Sequence, residues 1–257
     1  MGGENSAIQR VASKISDEIF SVFKWKRTKR EDMNWDCGLE HHNKKTHPSD
    51  VVFYYTDPYE EEIVYLNTDL KSYGEKSIAK GGVEGALQTL SLAVECANSS
   101  MVWRKKYLDD ETLPYNVKGL LFLYNHDHLY HKDFYKDIMS KVDLSDFSFT
   151  ENHKLYLLDP HKIADIINIS FDITNLIGRG KLPNKKEFSY YYPDLSLTRL
   201  KHTIDNNTAA TVELLTSPYI IIKHNQFEYD GEKKDDGYVI YYNQPGNNED
   251  EFVYFFD

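Results

Sequence analysis

Residues 51–71 constrain the fold more than any other stretch. Val51-Val52-Phe53-Tyr54-Tyr55 is β-branched and aromatic throughout, and Ile63 to Lys71 opens with the same texture. Such residues favour extended backbone, because their side chains pack well on a pleated surface. Thr56-Asp57-Pro58-Tyr59 lies between the two runs, with Asp and Pro as turn residues. So short a connection predicts that the two strands pair antiparallel.

Helical spacing borders this pair on both sides. Ile8, Val11, Ala12, Ile15, Ile19, Val22 and Phe23 fall on one stripe over residues 5–23. After Gly81-Gly82, the residues Val83, Ala86, Leu87, Leu90, Val94, Ala97 and Met101 predict the buried face of a long helix. Val117 to Tyr124 reads as a strand, Asp133 to Val142 as a short helix, and Leu155 to Leu158 as a buried strand broken by Asp159-Pro160. A helix from His161 to about Ile177 follows, ended by Gly178. The basic run ending at Arg30 leads into a polar stretch through Thr46 that reads as loop, with room for one short strand. The expected fold is therefore α/β, a mixed central sheet flanked by helices over residues 1–180. Residues 181–257 read as a β-rich acidic extension, with strand candidates at Tyr190–Tyr192, Tyr219–Ile222, Tyr238–Tyr242 and Phe252–Phe256.

Composition narrows the function. Aromatic residues make up 14% of the 257, led by 20 Tyr, which argues against disorder. The two cysteines, Cys37 and Cys96, define no disulfide framework. No signal peptide follows Met1, and no stretch approaches the roughly 18 apolar residues of a membrane span. Met1 to Ser6 fits the N-myristoylation pattern, but no second anchoring signal follows. The expectation is a cytoplasmic protein away from membranes. A net charge of −11 opposes nonspecific binding to phosphate. The charge is uneven, however. Lys24, Lys26, Arg27, Lys29 and Arg30 cluster around Trp25 and are the candidate nucleic-acid contacts. Acidic residues crowd the last stretch from Glu228 to Glu251, a docking surface for a second copy or a protein partner subunit.

The polar residues at the strand ends carry the chemistry. Asp50 stands at the mouth of the first strand, in His47-Pro48-Ser49-Asp50, and Asp69 and Lys71 close the second. Side chains alternate along a strand, so Asp69 and Lys71 point to one face. The hairpin can bring Asp50 beside Asp69. Two neighbouring carboxylates are costly unless a cation neutralises them. A hard divalent ion does so while keeping water and phosphate oxygens as its other ligands, and it polarises the phosphodiester. Lys71 beside it would orient the attacking water or steady charge developing on phosphorus.

Through Pro48 to Asp50 and Asp69 to Lys71, the chain resembles the PD-(D/E)XK phosphodiesterase superfamily, which includes restriction-type endonucleases and junction resolvases. The resemblance runs from Glu4 to about Tyr124, with an outer limit at Ile177. It implies that Asp50, Asp69 and the Leu70 carbonyl hold Mg²⁺ or Mn²⁺, with Lys71 as the catalytic lysine. Members often carry an acid on the first helix. Glu4 shares the stripe of Ile8, Val11 and Ile15, and Glu18 at its flank is the alternative. Many also carry a glutamine on the helix after the lysine strand, where Gln88 fits. Ser49 separates Pro48 from Asp50, and the strand usual before this motif is not clear in Val22 to Thr46. The implied function is a metal-dependent endonuclease acting on DNA, a subunit of a restriction or phage-defence system. The alternative is a nuclease fold that has lost catalysis and serves as a binding subunit. A third reading is a sugar- or protein-binding β module in the tyrosine-rich extension.

Other polar clusters carry less. His41, His42 and His47, and likewise His126, Asp127, His128 and His131, lack the spacing of a known metal signature and read as surface-loop histidines. Gly178-Arg179-Gly180-Lys181 lacks the P-loop pattern and reads as a helix stop.

Overall fold

The computed structural model describes residues 13–108, 113–145, 147, 153–193 and 207–243. Residues 13–22 are helical and form α1. Five strands follow in one sheet: β1 (Lys26–Asp36), β2 (Thr46–Thr56), β3 (Ile63–Tyr73), β4 (Tyr115–Asn125) and β5 (Leu155–Leu158). They lie side by side in chain order. The first three pair antiparallel, whereas β3, β4 and β5 are parallel. The switch follows from the connections. A tight turn joins β2 to β3, while β3 reaches β4 through α2 (Lys80–Ser99) and α3 (Met101–Tyr107), the long crossover that parallel strands need.

Strand alternation sends side chains to two different layers. Val51, Phe53, Val64, Leu66 and Leu70 pack in one cluster with Phe20 and Phe23 of α1. That cluster also holds Ile163, Ile166 and Ile173 of α5 (Pro160–Gly178). Val52, Tyr65 and Val117 instead meet Ala93 and Ala97 of α2 and Trp103 of α3. The Asp159 side chain caps α5 by accepting from the His161 and Lys162 N–H groups. The helix ends at Gly178, and the φ of +63° at Gly180 turns the chain so that the Lys181 N–H reaches the Leu176 carbonyl at 2.9 Å. A Cβ at Gly180 would run into the Tyr229 ring. Glycine is required by both conformation and space.

After α5 come β6 (Phe188–Tyr190), a short helix α6 (Val212–Thr216) and β7 (Tyr219–His224). A small hairpin follows, β8 (Phe227–Tyr229) with β9 (Glu232–Lys234), and then β10 (Gly237–Tyr242). β7 lies between β10 and β6 in an antiparallel sheet. Phe188, Tyr190, Ala210, Ile220 and Ile222 of this region belong to the same hydrophobic cluster as Phe20, Phe53 and Phe122. The strand candidate at Phe252–Phe256 lies outside the described residues.

Two expectations need correction. The stretch read as loop between Arg30 and Thr46, with room for one short strand, begins inside an eleven-residue strand, β1, which starts in the basic run at Lys26 and ends at Asp36. Only Thr28 and Trp35 in it are buried, and Lys29 to Asp32 are all exposed. That is how a charged edge strand protects itself from pairing, and it leaves no alternation to read. Trp25 is also not exposed among the basic residues. It is 5% exposed, stacks on Phe20 and Tyr55, and donates its indole N–H to the Ala210 carbonyl at 2.6 Å. Among the described residues no helix is long and apolar enough to cross a membrane.

Candidate active site

The β2–β3 ladder sets Val51 opposite Thr68, so the next pair outward is Asp50 and Asp69. Directly opposed residues of an antiparallel pair project to the same face, and the two carboxyls are close enough for the charge of Asp69 to act on Asp50. The Leu70 N–H donates to Asp50 Oδ2 at 2.8 Å, and Lys71 Nζ donates to Asp69 Oδ1 at 2.6 Å. The expected triad is therefore assembled at one end of the hairpin.

Its electrostatics call for a further cation. Burial, and then the charge of Asp69, push the Asp50 carboxyl up to about 7. Burial works against the Lys71 ammonium too, but Asp69 and Asp50 outweigh it and raise its pKa above the ordinary lysine value. One lysine thus faces two acids, and a further cation in the pocket would relieve the repulsion that raises Asp50. The pocket they line is bounded by Pro48, Asn67, Thr89 and Leu90, and its volume is about 10 Å³. That is close to the space one water or ion needs.

Behind the acids the backbone is braced. The Trp35 indole N–H donates to Ser49 Oγ at 3.1 Å, and the Ser49 hydroxyl in turn donates to Asn67 Oδ1. All three side chains are buried. This chain of bonds links β1, β2 and β3 beside the residues that carry Asp50 and Asp69.

A family model described as the GAPS4 protein PD-(D/E)XK nuclease domain matches residues 1–162. The chain belongs to the PD-(D/E)XK nucleases. Comparison with curated protein sequences finds no match. The matched nuclease domain contains all five strands of the central sheet and both acidic motifs. PD-(D/E)XK nucleases typically use divalent metals. The donor set here, two carboxylates around space for one ion and a lysine at its edge, fits such a metal.

The remaining expected residues of the nuclease site are spread more widely. Glu4 lies outside the described residues. Glu18 is exposed on α1 and pairs with Lys14 at 3.8 Å. Gln88 is exposed, whereas its neighbours Thr89 and Leu90 line the pocket. Sequence reasoning misses Thr89, Ser49 and Asn67. One helical step separates Thr89 from Gln88, and Ser49 reads as a spacer inside its motif.

Of the basic cluster, Lys26, Lys29 and Arg30 are exposed on β1. Lys24 bonds the Phe188 carbonyl and lies 4.6 Å from the Phe188 ring centre. Arg27 is half-buried and ion-paired with Asp17 and Glu31, so these two are committed within the fold. His126, His128 and His131 are exposed, as expected. His42 and His47 are not surface-loop histidines: they are 6% and 0% exposed.

A second cleft, about 520 Å³ and far roomier than the carboxylate pocket, lies at the other end of β3. Asp57, Glu60, Glu62 and Glu213 line it against Lys118 and Lys154. Its acidic excess repels a phosphate backbone, so size does not mark the chemical centre here.

Proposed function

We propose that this protein is a divalent-metal-dependent endonuclease acting on DNA, and that it serves as the nuclease subunit of a restriction or phage-defence system. The observation that carries the reading is the shared pocket of Asp50 and Asp69 with Lys71 at its edge, inside a PD-(D/E)XK nuclease domain. Asp50, Asp69 and the Leu70 carbonyl would hold Mg²⁺ or Mn²⁺. When bound, the ion polarises the scissile phosphate and makes water a better nucleophile.

The chain's own groups do the rest. The Leu70 N–H fixes one oxygen of Asp50 and with it the orientation of the carboxyl. Lys71 keeps its proton through the neutral range, so it acts as a hydrogen-bond donor. It orients the attacking water or steadies negative charge on the phosphoryl oxygens. Exposed Lys26, Lys29 and Arg30 supply cations for the DNA backbone on the β1 side. The net charge of −11 makes a partner subunit or a second copy the natural source of further affinity.

The test is plasmid nicking by the purified chain, alone and with whatever co-purifies, in Mg²⁺ and in excess chelator. Cleavage that needs the ion supports the proposal. Absence of cleavage in both preparations would favour the binding-subunit reading.

A further inference from the structure

Four side chains that the sequence scatters come together on the far side of the Trp35–Ser49 brace. Cys37 follows β1, His42 closes the single turn Glu40–His42, His47 is the second residue of β2, and Cys96 sits on α2. One ligand atom from each lies within 4.8 Å of every other. The two Sγ atoms are 3.9 Å apart, Cys37 Sγ is 3.5 Å from His42 Nδ1, and His42 Nδ1 is 3.3 Å from His47 Nε2. Zinc bonds of about 2.3 Å to sulfur and about 2.05 Å to nitrogen, at tetrahedral angles, require edges of about 3.8, 3.5 and 3.3 Å for these three kinds of pair. The observed edges match them in kind and order.

We propose that Cys37, His42, His47 and Cys96 bind one zinc ion as a closed, four-ligand structural site. Three further observations support this. Glu95 holds His42 Nε2 at 3.0 Å and His41 Nε2 at 3.1 Å. A carboxylate on Nε2 keeps the proton there and leaves Nδ1 bare toward the cluster, the outer-shell pattern of histidine ligands. The Gly38 N–H donates to Cys96 Sγ at 3.2 Å, so the backbone already offers this sulfur a donor. His42, His47 and Cys96 are buried and Cys37 half-buried, so no fifth position opens to a substrate. Two thiolates with two imidazoles in tetrahedral array select zinc over magnesium or calcium.

The ion would pin the start of β2 and the preceding turn to α2. Asp50 lies three residues beyond His47, and α2 supplies Thr89 and Leu90 to the catalytic pocket. The zinc ligands are therefore positioning residues for the acids. Their assignment rests on none of the nuclease chemistry.

The experiment is metal analysis of the full chain, purified under mild reduction from zinc-supplemented medium and desalted. It is run on wild type and on Asp69→Asn, so that zinc held at the carboxylates is not counted. One zinc per chain in both is expected, with both thiols becoming reactive only after the ion is removed. Cobalt substitution should give intense tetrahedral ligand-field bands and thiolate-to-cobalt charge transfer. His42→Cys keeps four ligands and should strengthen the charge transfer, so the assignment does not depend on a variant that fails to fold. Glu95→Gln should weaken zinc binding by about 10–100-fold. Wild type without stoichiometric zinc would overturn the proposal. So would cobalt bands of octahedral type, or a Cys37–Cys96 disulfide in the zinc-supplemented protein.

Discussion

Strand β2 carries two clusters three residues apart, and they differ in nearly every physical respect. Asp50 looks across to Asp69 in a pocket with one side open, and Lys71 at its rim is 31% exposed. His47 looks into a buried cluster whose four ligand atoms lie within 4.8 Å of one another. The first set is oxygen only, with too few protein ligands to enclose an ion. The second is sulfur and nitrogen, with enough to complete a tetrahedron. An open set leaves room for substrate and water, so its loss costs activity. A closed set leaves none, so its loss costs structure. Proximity on one strand does not make two sites alike; what does is ligand type and the number of positions left free.

The largest effect expected at the open site is on cleavage. Asp69→Asn and Lys71→Ala should each lower it by roughly 10²-fold or more, with fold stability little changed. Calorimetry should separate them, since Asp69→Asn loses Mg²⁺ affinity whereas Lys71→Ala keeps it. Wild-type cleavage by both would place the chemistry elsewhere. At the closed site the order reverses. Cys96→Ser should lower unfolding stability by several kcal/mol, on the order expected for a lost structural metal. Denaturant melts with matched zinc would reveal it, and an unchanged midpoint would break the contrast.

A smaller effect concerns pH. The folded-state pKa of Asp50, about 7, lies above its ordinary value of 3.8, so the metal-free fold holds a proton that the unfolded chain has released. Its contribution is full below about pH 4 and is lost as pH rises through about 7. Urea melts without Mg²⁺ at pH 5 and pH 8 should show that decline, and Asp50→Asn should flatten it. The smallest effect is at β1. Lys29→Ala with Arg30→Ala should weaken DNA binding modestly and reduce the salt slope by about one for each phosphate that the strand no longer neutralises. No change in slope would remove β1 from the interface.

The sequence made the open site legible and hid the closed one. Asp50 and Asp69 sit on strands whose partners are close in the chain, so the hairpin pattern alone brings them together. Cys96 is 59 residues from Cys37, and it lies on a helix stripe where a cysteine reads as one more small core residue. No spacing rule joins them, because a crossover helix does. β1 was hidden for a different reason: an edge strand with two buried residues offers no alternation. Trp25 misled because a basic run surrounds it in the chain, while its ring turns inward onto Phe20 and Tyr55. The pattern that placed α2, but wrongly carried its buried stripe on to Met101, which is exposed at the start of α3, could not choose between Gln88 and Thr89, since a small rotation of the helix decides which one meets the pocket.

The carboxylate pair is tested most directly by locating the ion itself. Crystals of the zinc-loaded protein soaked in Mn²⁺, with diffraction recorded on both sides of the manganese absorption edge, should show one manganese peak between Asp50 and Asp69. It should lie within about 2.5 Å of an oxygen from each, and it should vanish in Asp69→Asn. The zinc peak at Cys37, His42, His47 and Cys96 should persist in both. A manganese peak elsewhere, or none in the wild type at concentrations that support cleavage, would contradict the assignment of this pocket as the metal centre.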